Sequence, residues 1–370
     1  MPCYLLRRIS LRIFNMQVTE LVARELGIFE YEQTRPQASV NGVTTVELES
    51  RGVWYRMHLV RDTNNEAVTM EEGARLGAFY NSKFFLELLD TEKLELPCEK
   101  LIRSFQIEDQ HANHSIFVTN FYRFSSAHQP IESRYELSLA ELLRVADSIA
   151  KIHSINISNL PIGFVRAVKE NHENIMEQQQ TLLHPLVGLL KEAVEGDMRH
   201  YFHKPHQITH FIEELSDYHE QIAFDSHFLC HGKLTGENCK FEDEALIEIT
   251  DWEQIHFTDP AYDLSFLIIT SSDPSIRRNH FMKVFRQYYY TLVDLRTPKF
   301  KLSDLKTLFR KHHTSAVLAG IEYLLEILSS NADEETKQRA AKRWETALED
   351  AVDFISGDYI SDDEHCFFAK

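Results

Sequence analysis

The chain lacks a basic surplus, a cysteine framework and any long apolar run, and each absence removes a class of function. Across 370 residues, 57 acidic against 39 basic side chains leave a net charge of −18. A nucleic-acid surface needs Lys and Arg clustered against phosphates, so no nucleic-acid partner is expected. No apolar run reaches the roughly 20 residues that span a bilayer, so no membrane span is expected either. The cysteines Cys3, Cys98, Cys230, Cys239 and Cys366 are scattered, odd in number and without a CxxC pair. That excludes a disulfide framework and points to a reducing compartment, with the cytoplasm as the expected location. There is no Gly-x-Ser-x-Gly elbow and no Walker-type loop. Internal repeats and low-complexity runs are absent as well.

What is present reads as an ordinary soluble protein: 43% hydrophobic and 26% charged residues. Met1 to Met16 carries Arg7, Arg8 and Arg12 among apolar residues with no acid before Glu20, faintly like a transit peptide. An N-terminal extension is the preferred reading. Residues 17–26 have helical apolar spacing. Two β-rich runs, 37–50 and 53–60, flank Arg51-Gly52 and predict a hairpin. A helix is expected over about 70–89, a strand over 115–122 and an amphipathic helix over 137–155. Residues 156–226 read as mostly helical, with Pro185 and Pro205 as breakers. His200, His203, His206 and His210 cluster there. Pro205 disrupts a single helical face and no Cys or carboxylate pattern completes a zinc site, so a solvated connector is expected. Helices over 281–295, 302–329 and 333–355 follow, then an acidic, aperiodic tail.

The most informative stretch runs from Phe228 to Leu264. An apolar strand leads into His231-Gly232, then Lys233, Asn238, a second apolar strand ending in Asp251-Trp252, and Asp259-Pro260-x-x-Asp263-Leu264 opening a helix. Asn238 and Asp251 fall beside the mouth of one short hairpin. An amide oxygen and a carboxylate converging there suit a hard cation such as Mg²⁺. Asp251 and Asp259 also raise a glycosidase pair, but two acids eight apart across a loop have no set separation.

These motifs resemble the catalytic and metal-binding segments of the choline-kinase-like and aminoglycoside-phosphotransferase families, and especially their ecdysteroid-kinase-like branch. That branch carries His-Gly-Asp-x-x-x-x-Asn, Ile-Asp-Trp and Pro-x-x-Asp-Leu. The resemblance covers roughly residues 35–355, with specific motifs only in 228–264. It implies an α+β, bilobal protein-kinase-like fold. A small β-rich N-lobe over 35–125 would follow an N-terminal extension and helix over 1–34. A helical C-lobe over 126–355 would precede a frayed tail over 356–370. It implies ATP and Mg²⁺ as cofactors, Asn238 and Asp251 as metal ligands, His231 as the loop's brace and Asp263 as its anchor. A small-molecule acceptor or ligand would be the partner.

The resemblance also exposes departures. In the N-lobe hairpin only Gly42 and Gly52 are available, so there is no glycine-rich phosphate cradle. His58 falls at the position of the phosphate-neutralising lysine, with Arg61 as a second candidate by reach. Leu76 falls where that lysine's helix glutamate should be, with Glu71 and Glu72 a turn or more away. Asn120 and Phe121 stand at the hinge, where backbone groups would meet a nucleotide base and the family usually has an acidic pair. Lys233 replaces the carboxylate that accepts the acceptor's proton. An ammonium has no acceptor and acts as a base only if its pKa is depressed, which the neighbouring Asp251 opposes. Losing a general base costs about 10²–10⁴-fold in rate. Three altered parts point to a kinase-like protein impaired in phosphoryl transfer that still binds a nucleotide. Two alternatives stay open. One is an active ATP-dependent kinase for a small alcohol or sterol-like acceptor, and the other is an interaction protein that binds no nucleotide.

Overall fold

The computed structural model describes residues 18–33, 37–38, 43–62, 70–108, 113–121, 135–216 and 227–356. The basic N-terminal stretch, the acidic tail, Cys3 and Cys366 lie outside them.

The molecule has the expected two-lobed α+β form. Residues 18–25 make helix α1. The strands β1 (Glu32–Gln33), β2 (Gln37–Ala38), β3 (Thr44–Ser50), β4 (Val53–Asp62), β5 (Lys100–Glu108) and β6 (Asn113–Phe121) build one sheet. Its order is β1-β3-β4-β6-β5, with β2 also on β3, and every pairing is antiparallel. Arg51 (φ 52°) and Gly52 (φ 77°) both have left-handed backbones, the turn whose twist matches a two-residue hairpin. That turn sets the register, so Glu47 faces Arg56 and Thr45 faces His58. Period-two alternation then sorts β4: Met57 and Leu59 are buried with Val18, Val22, Val46 and Leu48 beneath α1. Arg56 and His58 point to the opposite face. Helix α2 (Met70–Glu92) crosses behind the sheet and joins the main core through Ala78, Phe79 and Phe85.

The helical lobe contains α3 (Leu139–His153), α4 (Ile162–Glu195), α5 (Pro205–Ser216), α6 (Tyr262–Ser271), α7 (Pro274–Asn279), α8 (Phe281–Leu295), α9 (Leu302–Ser329) and α10 (Glu334–Ser356). Helix α3 begins where Ser138 and Glu141 form a reciprocal capping box. Pro205 opens α5, a position where its missing N–H costs nothing. Pro185 corrects the sequence expectation, because α4 runs through it without a break. Val168, Ile175, Val187, Leu190 and Val194 are buried along that helix, and tertiary packing against α2 and α9 outweighs the local penalty.

Short strands carry the motif stretch between α5 and α6. Strand β7 (Phe228–Cys230) pairs with β10 (His256–Thr258), and β8 (Cys239–Glu242) with β9 (Ala245–Ile249). The Asn238 and Asp251 positions flank the open end of the β8–β9 hairpin.

Candidate active-site cleft

The loop after β7 is held by one buried carboxylate. Asp263, in the first turn of α6, accepts the His231 N–H at 2.7 Å and the Gly232 N–H at 3.0 Å. Burial pushes its pKa up, while His231 and the two N–H groups work against that shift. Gly232 has φ +94°, and a Cβ there would run into the Gln254 carbonyl oxygen, so only glycine fits. The buried His231 ring lies 2.9 Å from the Thr250 carbonyl through Nε2 and accepts the Lys233 N–H through Nδ1 at 3.3 Å. Those two partners select the Nε2–H tautomer, because a carbonyl accepts and a backbone amide donates. His231 also packs against Trp252, whose indole stacks on Phe85 of α2 at 3.7 Å.

Lys233 turns inward. Its Nζ lies 2.8 Å from Glu322 Oε2 on α9, with 17% and 28% of the two side chains exposed. Burial alone would lower the lysine's pKa. Glu322, then Glu326 and Asp251, outweigh burial and hold it above its ordinary value. Lys233 is therefore held as an ammonium, with no lone pair to offer. Glu326, exposed on α9 one turn beyond Glu322, has its own pKa raised by burial of its carboxylate and by Glu322, Glu237 and Asp251, against the pull of Lys233.

Asn238 and Asp251 do converge, but through an unexpected atom. Asn238 Nδ2 faces Asp251 Oδ2 at 3.5 Å. Its Oδ1 accepts from the Thr235 N–H at 2.9 Å and from the Thr235 hydroxyl at 2.8 Å. A backbone N–H only donates, so the amide is oriented oxygen-inward and cannot be flipped without losing that bond. Asp251 sits exposed with a left-handed backbone (φ 66°, ψ 58°). In this conformation the pair presents one carboxylate and one amide N–H₂. That set does not fit a divalent cation held by both residues, which needs oxygen from each.

On the sheet side, His58 Nε2 lies 3.4 Å from Glu99, and its ring stacks on Phe117. Its acidic partner therefore comes from the segment entering β5, while Leu76 packs into the core instead. The Arg61 side chain lies outside the described residues. Asn120, exposed at the end of β6, pairs in register with Tyr55 and Lys100. Sequence reasoning missed Arg56, which bonds Glu47 and Glu99 at 3.1 Å each and lies 3.6 Å from Glu248 of β9. The Glu47–Arg56 match was available from hairpin register, since opposite charges face across strands. Glu99, Glu248 and Glu322 reach Arg56 and Lys233 from distant segments and gave no local signal. Asn81 of α2 was also missed. Fully buried, it donates to the carbonyls of Glu253 at 3.0 Å and Ile255 at 3.4 Å.

Two other clusters are accounted for by packing. Among the described residues, one trio of ligating side chains comes together: His153, Cys230 and Asp263, all buried. His153 Nδ1 is engaged by the Tyr288 hydroxyl at 2.8 Å, and both Asp263 oxygens are held by the loop. Burial pushes the Cys230 thiol far above its ordinary range and Cys239 to about 12, so neither is a reactive thiolate. The His-rich connector lines an open surface depression, where His200 bonds the Asp197 carbonyl and His206 contacts Arg199.

A sheet lobe and a helical lobe carrying the His-Gly, Asn and Asp-Trp segments give the chain a bilobal, protein-kinase-like fold. The profile of the family DUF1679, described as "Uncharacterized oxidoreductase dhs-27", matches residues 83–356, and the chain belongs to that family. No curated protein matches the chain. Among solved structures, the gentamicin complex of APH(2'')-IIa is similar at 13% identity and TM-score 0.48, over 90% of this chain and 97% of that one. The ADP-bound aminoglycoside phosphotransferase APH(2'')-Ib is similar at 15% identity and TM-score 0.46, over 91% and 98%. A Plasmodium vivax ethanolamine kinase is similar at 12% identity and TM-score 0.41, over 85% and 81%. At these scores they are likenesses of shape and carry nothing about chemistry.

Proposed function

We propose that this protein is a small-molecule-kinase-like protein in which phosphoryl transfer is impaired and the interlobe cleft serves to bind a small-molecule ligand. The carrying observation is the Lys233–Glu322 pair at 2.8 Å, which keeps a cation at the position where a proton acceptor is required. The inward-turned Asn238 oxygen supports the same reading, because a metal-assisted transfer needs that oxygen free. Were a nucleotide and a divalent ion bound, Asp251 is the residue able to ligate the ion as it stands, and the ion would supply charge neutralisation at the transferred phosphoryl group. A cytoplasmic setting, a nucleotide cofactor and a division into lobes near residue 125 belong to this proposal. Among the described residues, no helix is long and apolar enough to cross a membrane, and three cysteines are free. The oxidoreductase in the family's description receives no support from the described sheet, which is antiparallel rather than the parallel, doubly wound kind that carries dinucleotides.

The test is transfer of labelled γ-phosphate from ATP to a panel of small alcohols and sterols, alongside thermal-shift titration with ATP. Stabilisation without transfer is expected. Robust transfer by the unmodified protein overturns the proposal. A second reading has one observation in its favour: Glu322 brings a carboxylate back to the cleft beside Lys233. In that case the protein is an active kinase for a small hydroxylated acceptor, and Glu322→Gln abolishes its transfer.

A further inference from the structure

Arg56 is the centre of an ion cluster that joins the two lobes. From the sheet lobe, Glu47 on β3 and Glu99 at the entry to β5 each hydrogen-bond its guanidinium at 3.1 Å. Glu99 is held further by His58 at 3.4 Å and by the Thr119 hydroxyl. Although burial would raise its pKa, Arg56 and His58 bring Glu99 down to about 2, so it is ionised throughout the physiological range. The guanidinium also lies over the Phe121 ring at 4.1 Å, at the strand end leading into the hinge. Within its own lobe, then, Arg56 already has two carboxylates and an aromatic face.

The third carboxylate is different in kind. Glu248 belongs to β9 of the helical lobe, reaches Arg56 only at 3.6 Å, and its Oε1 is buried without a hydrogen bond. Lys240 faces it across the β8–β9 hairpin but donates to the Glu237 carbonyl at 2.5 Å. Burial, with Glu99 and Glu47 adding to it, pushes Glu248 up to about 7 against the pull of Arg56 and Lys240. An anion held this poorly in a buried place costs stability rather than contributing it. It is also the Arg56 partner most easily displaced. A guanidinium is a bidentate receptor for carboxylate and phosphate alike, so one can exchange for the other.

We propose that Glu248 is an autoinhibitory counter-charge: carried on the helical lobe, it takes the place on Arg56 that an anionic group of a cleft ligand, of the polyphosphate class, would otherwise take. This rests on the cleft being a ligand site, as proposed above, but not on phosphoryl transfer. Release of Glu248 removes a contact between the lobes, so ligand entry and lobe separation are the same event in this mechanism.

The test is calorimetric titration of the full chain with sodium tripolyphosphate in the absence of metal. Glu248→Gln keeps the shape and removes the charge, and is expected to bind at least about tenfold tighter than the unmodified protein. Adding Arg56→Gln to that variant is expected to abolish the gain. Glu47→Gln, which removes a partner from the same lobe, is expected to change affinity far less. Equal binding by Glu248→Gln and the unmodified protein overturns the proposal, as does a gain that survives the loss of Arg56. Should Glu248→Gln fail to fold, Glu248→Met gives the same comparison. The readout contains no transfer step. A Glu248→Gln protein that binds without transferring phosphate upholds both readings, and one that binds and transfers upholds the counter-charge while removing the impaired-transfer proposal.

Discussion

Lys233 is half of a pair, and changing it alone asks the wrong question. Lys233→Asp would set a carboxylate against Glu322, with Glu326 and Asp251 already close enough to affect the same site. The expected result is a loss of about 1–3 kcal/mol of stability, because a part-buried negative charge is left facing others of its sign. The charge-swapped double variant Lys233→Asp/Glu322→Lys restores attraction and should recover most of that loss. Urea denaturation of the two single variants and the double gives the coupling directly. A coupling near zero would mean that the 2.8 Å contact contributes nothing in solution and that the ammonium is free to move. The same four proteins, assayed for transfer, separate a missing base from a blocked one: only the double variant has a carboxylate at 233 with no carboxylate at 322 facing it.

Among the elements, α2 is tied to the Asp-Trp segment by one side chain and one ring. Asn81 donates to two carbonyls of that segment, and Phe85 stacks on Trp252. Asn81→Ala leaves the Glu253 and Ile255 carbonyls buried without that donor, at a cost of about 1–3 kcal/mol. Hydrogen exchange in residues 252–256 should rise in that variant while exchange in α8 and α10 stays unchanged. Uniform loss of protection would instead show that Asn81 supports the whole core. This coupling also shows what the sequence could and could not disclose. The hairpin around Arg51-Gly52, helix α8 and the spacing from His231 to Asp263 were legible, because period, turn chemistry and motif spacing are local properties. Pro185 was misread because a breaker is local while the packing that overrides it is not. Asn81, Glu99, Glu248 and Glu322 stayed hidden for the same reason: each meets its partner across a large separation in sequence, and nothing beside it marks the meeting. The inward turn of the Asn238 amide was hidden too, since spacing places a residue but not which end of its amide faces Asp251.

For the whole molecule, buried histidines set the response to acid. His153, His256 and His313 are brought to about 3 by burial, with Arg296, His172 and Arg277 respectively adding to the effect. A folded-state pKa below the unfolded value of about 6.5 contributes stability above that value and loses it as pH falls toward 3. At pH 5 each histidine has forfeited about 2 kcal/mol, so the three together forfeit about 6 kcal/mol. Glu248 acts in the opposite sense. Its folded pKa of about 7 exceeds the unfolded one, so its contribution is present in acid and lost as pH rises through 7. That returns only about 2 kcal/mol between pH 7.5 and 5. Between these groups the histidines win by about 4 kcal/mol, so the protein should be less stable at pH 5, and that margin is a large share of the 5–15 kcal/mol typical of a folded domain. Guanidinium melts at pH 5 and 7.5 measure the difference. His313→Gln, which can still donate to the Ala347 carbonyl that His313 Nε2 contacts at 3.1 Å, should shrink it by about 2 kcal/mol. Glu248→Gln should instead enlarge it by a similar amount, because a group that favours the folded state in acid is removed. If both variants move the difference in the same direction, the assignment of these opposing charges to the interior is wrong.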